Sequence, residues 1–183
     1  MIESRDSKLI ATSNLDTLML DPLPPETRVR LLRFPLGSQN SMLLPLEQIT
    51  EIIKIDVTEI LPVPEMPSCL LGICNWRLEM LWLLDFNNFV GYPSTFELEP
   101  MLTSLTVIVV QINHQSLGLG VQQVNDIELH DLQQLQSVPL GLFPPDLLPL
   151  VQGTLPGSSD AVLDLKAIIH CPLWKKHQGS YDS

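Results

Sequence analysis

Pro62-Val-Pro-Glu-Met-Pro-Ser-Cys-Leu-Leu-Gly72-Ile-Cys-Asn75-Trp76-Arg77-Leu78-Glu-Met-Leu-Trp82-Leu-Leu-Asp85 is the most distinctive stretch of this chain. Its prolines fix φ and remove main-chain donors, so it opens as a loop and not as a helix or a central strand. Two apolar runs follow, Leu70–Trp76 and Met80–Phe86, each of ordinary strand length. Asn75 is suited to hydrogen-bond the main chain of the turn between them. Gly72 permits close approach of another backbone. Asp85, after two leucines, reads as a cap at a strand end.

The same form recurs later. Leu71-Gly72 opens a stretch that ends Leu83-Leu84-Asp85-Phe86, and Val151-Gln-Gly153 opens one that ends Val162-Leu163-Asp164-Leu165. Each has a glycine, a turn with polar residues, and a strand closing apolar-apolar-Asp-apolar. The repeat predicts two related β-units in tandem, which fits two small barrels in one chain.

Outward from these segments the texture stays the same. Short apolar runs occur at Val29–Phe34, Met42–Leu46, Leu105–Ile112, Leu117–Val121, Val124–Leu129 and Ala161–Leu165, most of them bounded by Gly, Pro, Asn, Asp or Ser. Helical material is confined to a turn or two at Asp131–Gln136 and at Leu165–His170. Pro139, Pro144, Pro145 and Pro149 make the segment between them a loop. Residues 1–28, with Asp21-Pro-Leu-Pro-Pro-Glu, read as a tail, and residues 171–183 read as a polar exit tail.

Composition excludes several classes. Apolar residues make up 45% of the 183, enough for a real core, while aromatics at 5% leave that core to Leu, Ile and Val. A formal net charge of −11 opposes nucleic-acid binding and attraction to anionic lipid, both of which need clustered Lys and Arg. No stretch approaches the roughly 18–20 apolar residues of a membrane-spanning helix. The N-terminus lacks the apolar segment of a secretory signal. A soluble cytoplasmic protein without direct membrane insertion is expected. Cys69, Cys74 and Cys171 are odd in number and without Cys-x-x-Cys spacing, so they read as small apolar residues.

No catalytic pattern is present, and no cofactor or metal is expected. His114, His130, His170 and His177 are scattered, and there is no Gly-x-Ser-x-Gly elbow. Gly118-Leu-Gly120 begins like a dinucleotide fingerprint, but position 123 is Gln and no helix start follows. It reads as a pair of strand glycines at a close approach. The chain is expected not to be an enzyme. The alternative is a small β-barrel enzyme or ligand-binding domain whose site is assembled from distant residues.

The segment Gly72-Ile-Cys-Asn75-Trp76-Arg77, with its proline-rich approach and closing Asp85, resembles the central signature of the CheW-like family. Other elements agree in order. Phe34-Pro-Leu-Gly37 with Met42-Leu-Leu-Pro45-Leu46 resembles the family's first hairpin, and Ile49-Thr-Glu51-Ile52 its Val-x-Glu-Ile element. Leu117-Gly-Leu-Gly-Val121-Gln-Gln-Val124 resembles the Leu-Gly-Leu-x-Val-Asp-x-Val strand of the second half. Leu150-Val-Gln-Gly153 and Val162-Leu-Asp164-Leu165 resemble its last two signatures. The resemblance spans roughly residues 29–170.

The resemblance implies an all-β fold: two small SH3-like five-stranded β-barrels packed together, with short helical segments. The halves fall at roughly 29–95 and 101–170, with strand exchange between them allowed. It implies a non-catalytic adaptor that bridges a methyl-accepting chemoreceptor's cytoplasmic tip and the regulatory domain of a CheA-type histidine kinase, recruited to receptor arrays at the membrane. The implied partner-binding residues are Ile49, Glu51, Ile52, Gly72, Asn75, Trp76 and Arg77. Glu51 and Arg77 would form an ion pair beside the receptor groove, since an Arg fork can clamp one carboxylate and keep donors free. An ordinary surface salt bridge is the competing reading of that pair. Ile49 with Gly72 would line the groove that accepts a helical hairpin tip, and Ile49 and Ile52 read equally well as core.

Three positions depart from the family pattern. Leu78 replaces the usual Gly, Trp82 the usual Pro, and Gln122 the usual Asp. Leucine at position 78 is costly if that turn needs a positive φ. Trp76 together with Trp82 resembles the branch of the family linked to phototaxis and pilus-driven motility.

Overall fold

The computed structural model describes residues 26–171. The expected tails, 1–28 and 171–183, lie outside the described residues apart from Glu26–Arg28 and Cys171. The described chain is all-β, with ten strands and three short helices. The strands are β1 (Val29–Leu36), β2 (Asn40–Pro45), β3 (Ile49–Asp56), β4 (Leu70–Trp76), β5 (Glu79–Asp85), β6 (Ser104–Ile112), β7 (Gln115–Val121), β8 (Ile127–His130), β9 (Val151–Thr154) and β10 (Ala161–Leu163). The helices are α1 (Phe86–Phe89), α2 (Thr95–Leu98) and α3 (Leu165–Ile169).

The strands form two five-stranded sheets, ordered β8-β1-β2-β10-β9 and β3-β6-β7-β5-β4. The two are built alike. A central hairpin, β1–β2 or β6–β7, takes one antiparallel strand on its first side, β8 or β3. On its other side a second hairpin joins through a parallel pair, β10 with β2 or β5 with β7. The second sheet is one continuous segment, 49–121, inserted between β2 and β8 of the first. The division expected at 95–101 therefore falls inside that sheet, because β3, β4 and β5 pair with β6 and β7 and not with β1 and β2.

Burial explains why the strands read as unbroken apolar runs. Val107 and Val109 point into the second barrel, while Ile108 and Val110 point into the layer between the barrels. In β2, Leu43 fills the first barrel and Met42 and Leu44 face the inter-barrel layer. Successive side chains point to opposite faces. With both faces covered, alternation of apolar with polar residues is lost. The inter-barrel layer is the largest of the three cores and holds Phe34 and Phe86 edge-to-face at 5.7 Å.

Each sheet closes through a matched pair of main-chain bonds. Leu61 and Ile73 exchange N–H···O bonds at 2.9 and 3.0 Å, joining the chain beyond β3 to β4. Gln136 and Thr154 do the same at 2.8 and 2.9 Å, joining the chain beyond β8 to β9. A glycine sits at each closure. A Cβ on Gly72 would lie 2.1 Å from the Leu61 carbonyl oxygen, and one on Gly153 would lie 2.7 Å from that of Gln136. Gly72 also holds a φ of 138°, beside a register shift in β4. The glycines of the sequence repeat thus occupy equivalent places in the two sheets.

The repeat's aspartates are equivalent as well, but each caps the helix that follows its strand. Asp85 accepts from the N–H of Asn88 (3.3 Å) and Thr95 (2.9 Å) and from the Thr95 hydroxyl (3.2 Å). Asp164 accepts from the N–H of Lys166 (3.0 Å) and Ala167 (3.4 Å). Such a cap satisfies donors that the first helical turn leaves free. Asp85 is buried, which pushes its carboxyl pKa up against the opposing pull of those N–H donors.

Two strands lie outside the apolar runs. β9 is short, and β3 (Ile-Thr-Glu-Ile-Ile-Lys-Ile-Asp) contains a bulge between Ile49 and Glu51 that breaks its period of two. Gly118 and Gly120 make room mainly for side chains of the second barrel: a Cβ there would meet Leu83 at 2.6 Å and Leu105 at 2.8 Å.

A charged network fastens the first sheet. Arg33 on β1 clamps Glu128 on β8 with two bonds, 2.6 and 3.0 Å, and reaches Asp160 at 2.9 Å. His130 Nε2 lies 2.7 Å from Glu128 Oε2, the oxygen that also accepts from Arg33 Nη2. The Arg33 clamp is the main reason the Glu128 carboxyl falls from 4.5 to about 2.

Two predictions follow from these contacts. Gly72→Ala should lower stability by about 3 kcal/mol by overpacking the closure, whereas Gly157→Ala, at a positive φ but with open space around it, should cost about 1 kcal/mol. Urea midpoints of the two variants check the order. Because the folded pKa of Glu128 is depressed, its contribution is complete above 4.5 and lost as pH falls toward 2. Glu128→Gln should therefore be about 1–2 kcal/mol less stable than wild type at neutral pH, the gap closing as the pH falls toward the folded pKa. Urea unfolding of both proteins across that pH range measures it.

Candidate functional site

β3 is the outer strand of the second sheet, and its bulge decides what it displays. Ile49 and Ile52, three residues apart, pair with Val110 and Ile108, both members of the inter-barrel layer. They therefore share the face turned toward the first sheet. Ile49 is half-buried against that layer, and Ile52 is 40% exposed at its margin. Glu51 pairs with Val109 and sits on the opposite face, at the mouth of the second barrel.

There Glu51 meets the end of β4. Trp76 is only 8% exposed and packs inside the barrel, and its indole N–H donates to Glu51 Oε2 at 2.9 Å. Arg77 Nη2 reaches the same oxygen at 3.1 Å. The Arg77 guanidinium also lies over the Trp76 ring, 4.8 Å from its centroid. One carboxylate thus anchors both an indole and a guanidinium, and the cation stacks on the aromatic face. Arg77 stays largely exposed, with donors left for a partner.

The turn makes this geometry possible. Trp76 pairs with Glu79, so Arg77 and Leu78 form a two-residue hairpin loop. Both have positive φ, 50° and 64°, as in the hairpin turn that favours Asn-Gly. Asn75 Oδ1 accepts from the Leu78 N–H at 3.2 Å and steadies the turn. The positive φ makes Leu78 the strained choice that its departure from glycine suggests.

The seven expected partner-binding residues therefore fall into three places. Glu51, Trp76 and Arg77 form one cluster, with Asn75 holding its turn. Ile49 and Ile52 lie on the other face of the same strand. Gly72 lies at the barrel closure against Leu61, four residues along β4 from Trp76, or roughly 13 Å. Trp76 and Trp82 stand on different strands and opposite faces: Trp76 inside the barrel, Trp82 against the inter-barrel layer. The bond from Trp76 to Glu51 had no signal in the sequence, since the residues are 25 apart and meet only because the barrel closes.

Among the described residues, no group of three or more His, Cys, Asp or Glu is placed to hold a metal ion. His114, His130 and His170 stand on a β6–β7 turn, on β8 and after α3. Among the described residues, no helix is long and apolar enough to cross a membrane.

With this geometry in hand, comparison with known proteins is direct. A family model described as the CheW-like domain matches residues 30–170. The chain belongs to the CheW-like family. The crystal structure of scaffolding protein TtCheW from Thermoanaerobacter tengcongensis is similar, with a TM-score of 0.62 at 20% identity, over 75% of this chain and 90% of that one. That likeness supports the CheW-like fold of two SH3-like units. No curated protein matches the chain.

The cluster separates packing from charge. Trp76→Phe keeps the buried ring but removes the indole N–H, and should cost about 1 kcal/mol. Arg77→Ala removes an exposed pair and should change stability by less than about 1 kcal/mol. Thermal and urea unfolding of both variants checks these outcomes.

Proposed function

We propose that this CheW-like chain is a non-catalytic adaptor that couples a methyl-accepting chemoreceptor to a CheA-type histidine kinase. The observation that carries the reading is the two-faced display on β3. One face offers Ile49 and Ile52 at the margin of the inter-barrel layer, and the other holds Arg77 through Glu51. A helical tip laid along this edge buries apolar side chains on one side and meets a fixed guanidinium on the other. Trp76 positions Arg77 from inside the barrel and need not touch the partner.

Adaptor function asks for geometry and no chemistry. A receptor and a kinase bound to one rigid body influence each other through differential binding to signalling states. In an array such contacts are individually modest and collectively strong. In this reading the protein works in the cytoplasm and is recruited to receptor arrays. Trp76 and Trp82 support an output in phototaxis or pilus-driven motility. The fold relation to a protein described as a scaffold fits the same role.

Purified protein should retain a chemoreceptor tip fragment and a kinase regulatory domain in pull-downs. Arg77→Glu should unfold as wild type does yet bind the receptor tip at least about tenfold more weakly, some 1.4 kcal/mol. Equal affinity of a folded Arg77→Glu variant would overturn the assignment of this edge.

A further inference from the structure

The tip of the β4–β5 hairpin carries a feature that the Glu51–Arg77 cluster does not use. Leu78 holds a φ of 64°, where a leucine is strained and a glycine is not. Its side chain is 94% exposed. The residue is thus unfavourable twice over, in backbone and in solvation; the Asn75 side chain steadies its N–H, but its own side chain stands almost wholly in solvent. Strain of this kind, held at an exposed position, points to function.

Leu78 is not alone. Met80 is 71% exposed and Leu61 63%. All three line one groove of about 580 Å³ between the hairpin and the short turn after β3, with Ile73 in its wall. Glu59 and Glu79 also line it, and none of its lining residues is basic. An exposed apolar cluster of this kind marks an interaction site. Its only charges are acidic, on a chain of net charge −11.

We infer that this groove docks a basic amphipathic peptide segment of a partner protein, with Leu78 and Met80 as its apolar contacts and Glu59 and Glu79 facing the partner's Lys or Arg. Charge complementarity selects this occupant over an acidic or neutral one. The groove is lined by none of Ile49, Ile52 and Arg77, the residues proposed above to meet the receptor tip, and the inference does not depend on that reading.

The test uses the full-length protein and a synthetic amphipathic leucine–lysine peptide as the probe. Two control peptides of equal length replace Leu by Ser or Lys by Glu. Binding is followed by fluorescence anisotropy and by backbone amide shifts in isotope-labelled protein. The leucine–lysine peptide should bind, more weakly as salt rises, and shift amides of residues 58–61 and 73–80. Leu78→Gly with Met80→Ser leaves the net charge unchanged and should weaken that binding about tenfold or more. Leu78→Gly alone should melt at or above the wild-type temperature, and the double variant, changed only at exposed positions, should keep a cooperative melt, so loss of binding is not loss of fold. Equal binding of the serine or the glutamate peptide, or no effect of the double substitution, overturns the proposal. So does a dimer seen by sedimentation that Leu78→Gly abolishes, since a second copy would then be the occupant.

Discussion

Two pairs of main-chain hydrogen bonds, Leu61 with Ile73 and Gln136 with Thr154, turn two open sheets into two closed barrels. Each needs a glycine, Gly72 or Gly153, because any Cβ would occupy the space of the opposing carbonyl. Much else depends on these closures. They bring the chain beyond β3 against β4, and so bring Trp76 within reach of Glu51. They leave few open strand edges, which matters in a chain this rich in β-structure and apolar residues. They also form the wall of the groove beside Leu61 and Ile73.

The connection between the barrels is the second organising constraint. The second sheet is inserted whole between β2 and β8, so the first cannot be completed until the chain returns. The large apolar layer between them, centred on residues such as Phe34, Phe86, Ile108 and Leu119, then fixes the barrels together. β3 gains its two-sided character from this arrangement: one face belongs to the inter-barrel layer and the other to a barrel mouth. A bulge of one residue suffices to put Ile49 and Ile52 on the first face and Glu51 on the second.

Much of the fold was legible because the physics behind it is local. Prolines and glycines marked the loops, and the apolar runs matched strands closely, with β4 read to the residue. The repeat of glycine and aspartate pointed to two related units, and both residues proved equivalent in the two sheets. β3 escaped the run reading because a bulge near its start shifts the period and polar Thr50, Glu51 and Lys54 interrupt its isoleucines. The helices α1 and α2, four residues each, are too short to leave a periodic signal. The candidate site was legible only as a set of residues named by resemblance. The close approach at Gly72 and core packing as the default for Trp76 were legible, but nothing local named Leu61 as the backbone that Gly72 meets or told that Arg77 turns out beside the buried indole.

The sequence by itself determined the β class, the turn positions, the lack of a recognisable catalytic motif and the family signature, since each is carried by a few neighbouring residues. The tertiary structure alone decided which strands share a sheet, because hydrogen-bond partners lie far apart in the chain and no local pattern names them. It also decided that one carboxylate, Glu51, holds both Trp76 and Arg77. The sequence marked Leu78 as costly if its turn needs a positive φ; only the tertiary structure supplied that φ and the exposure of the side chain.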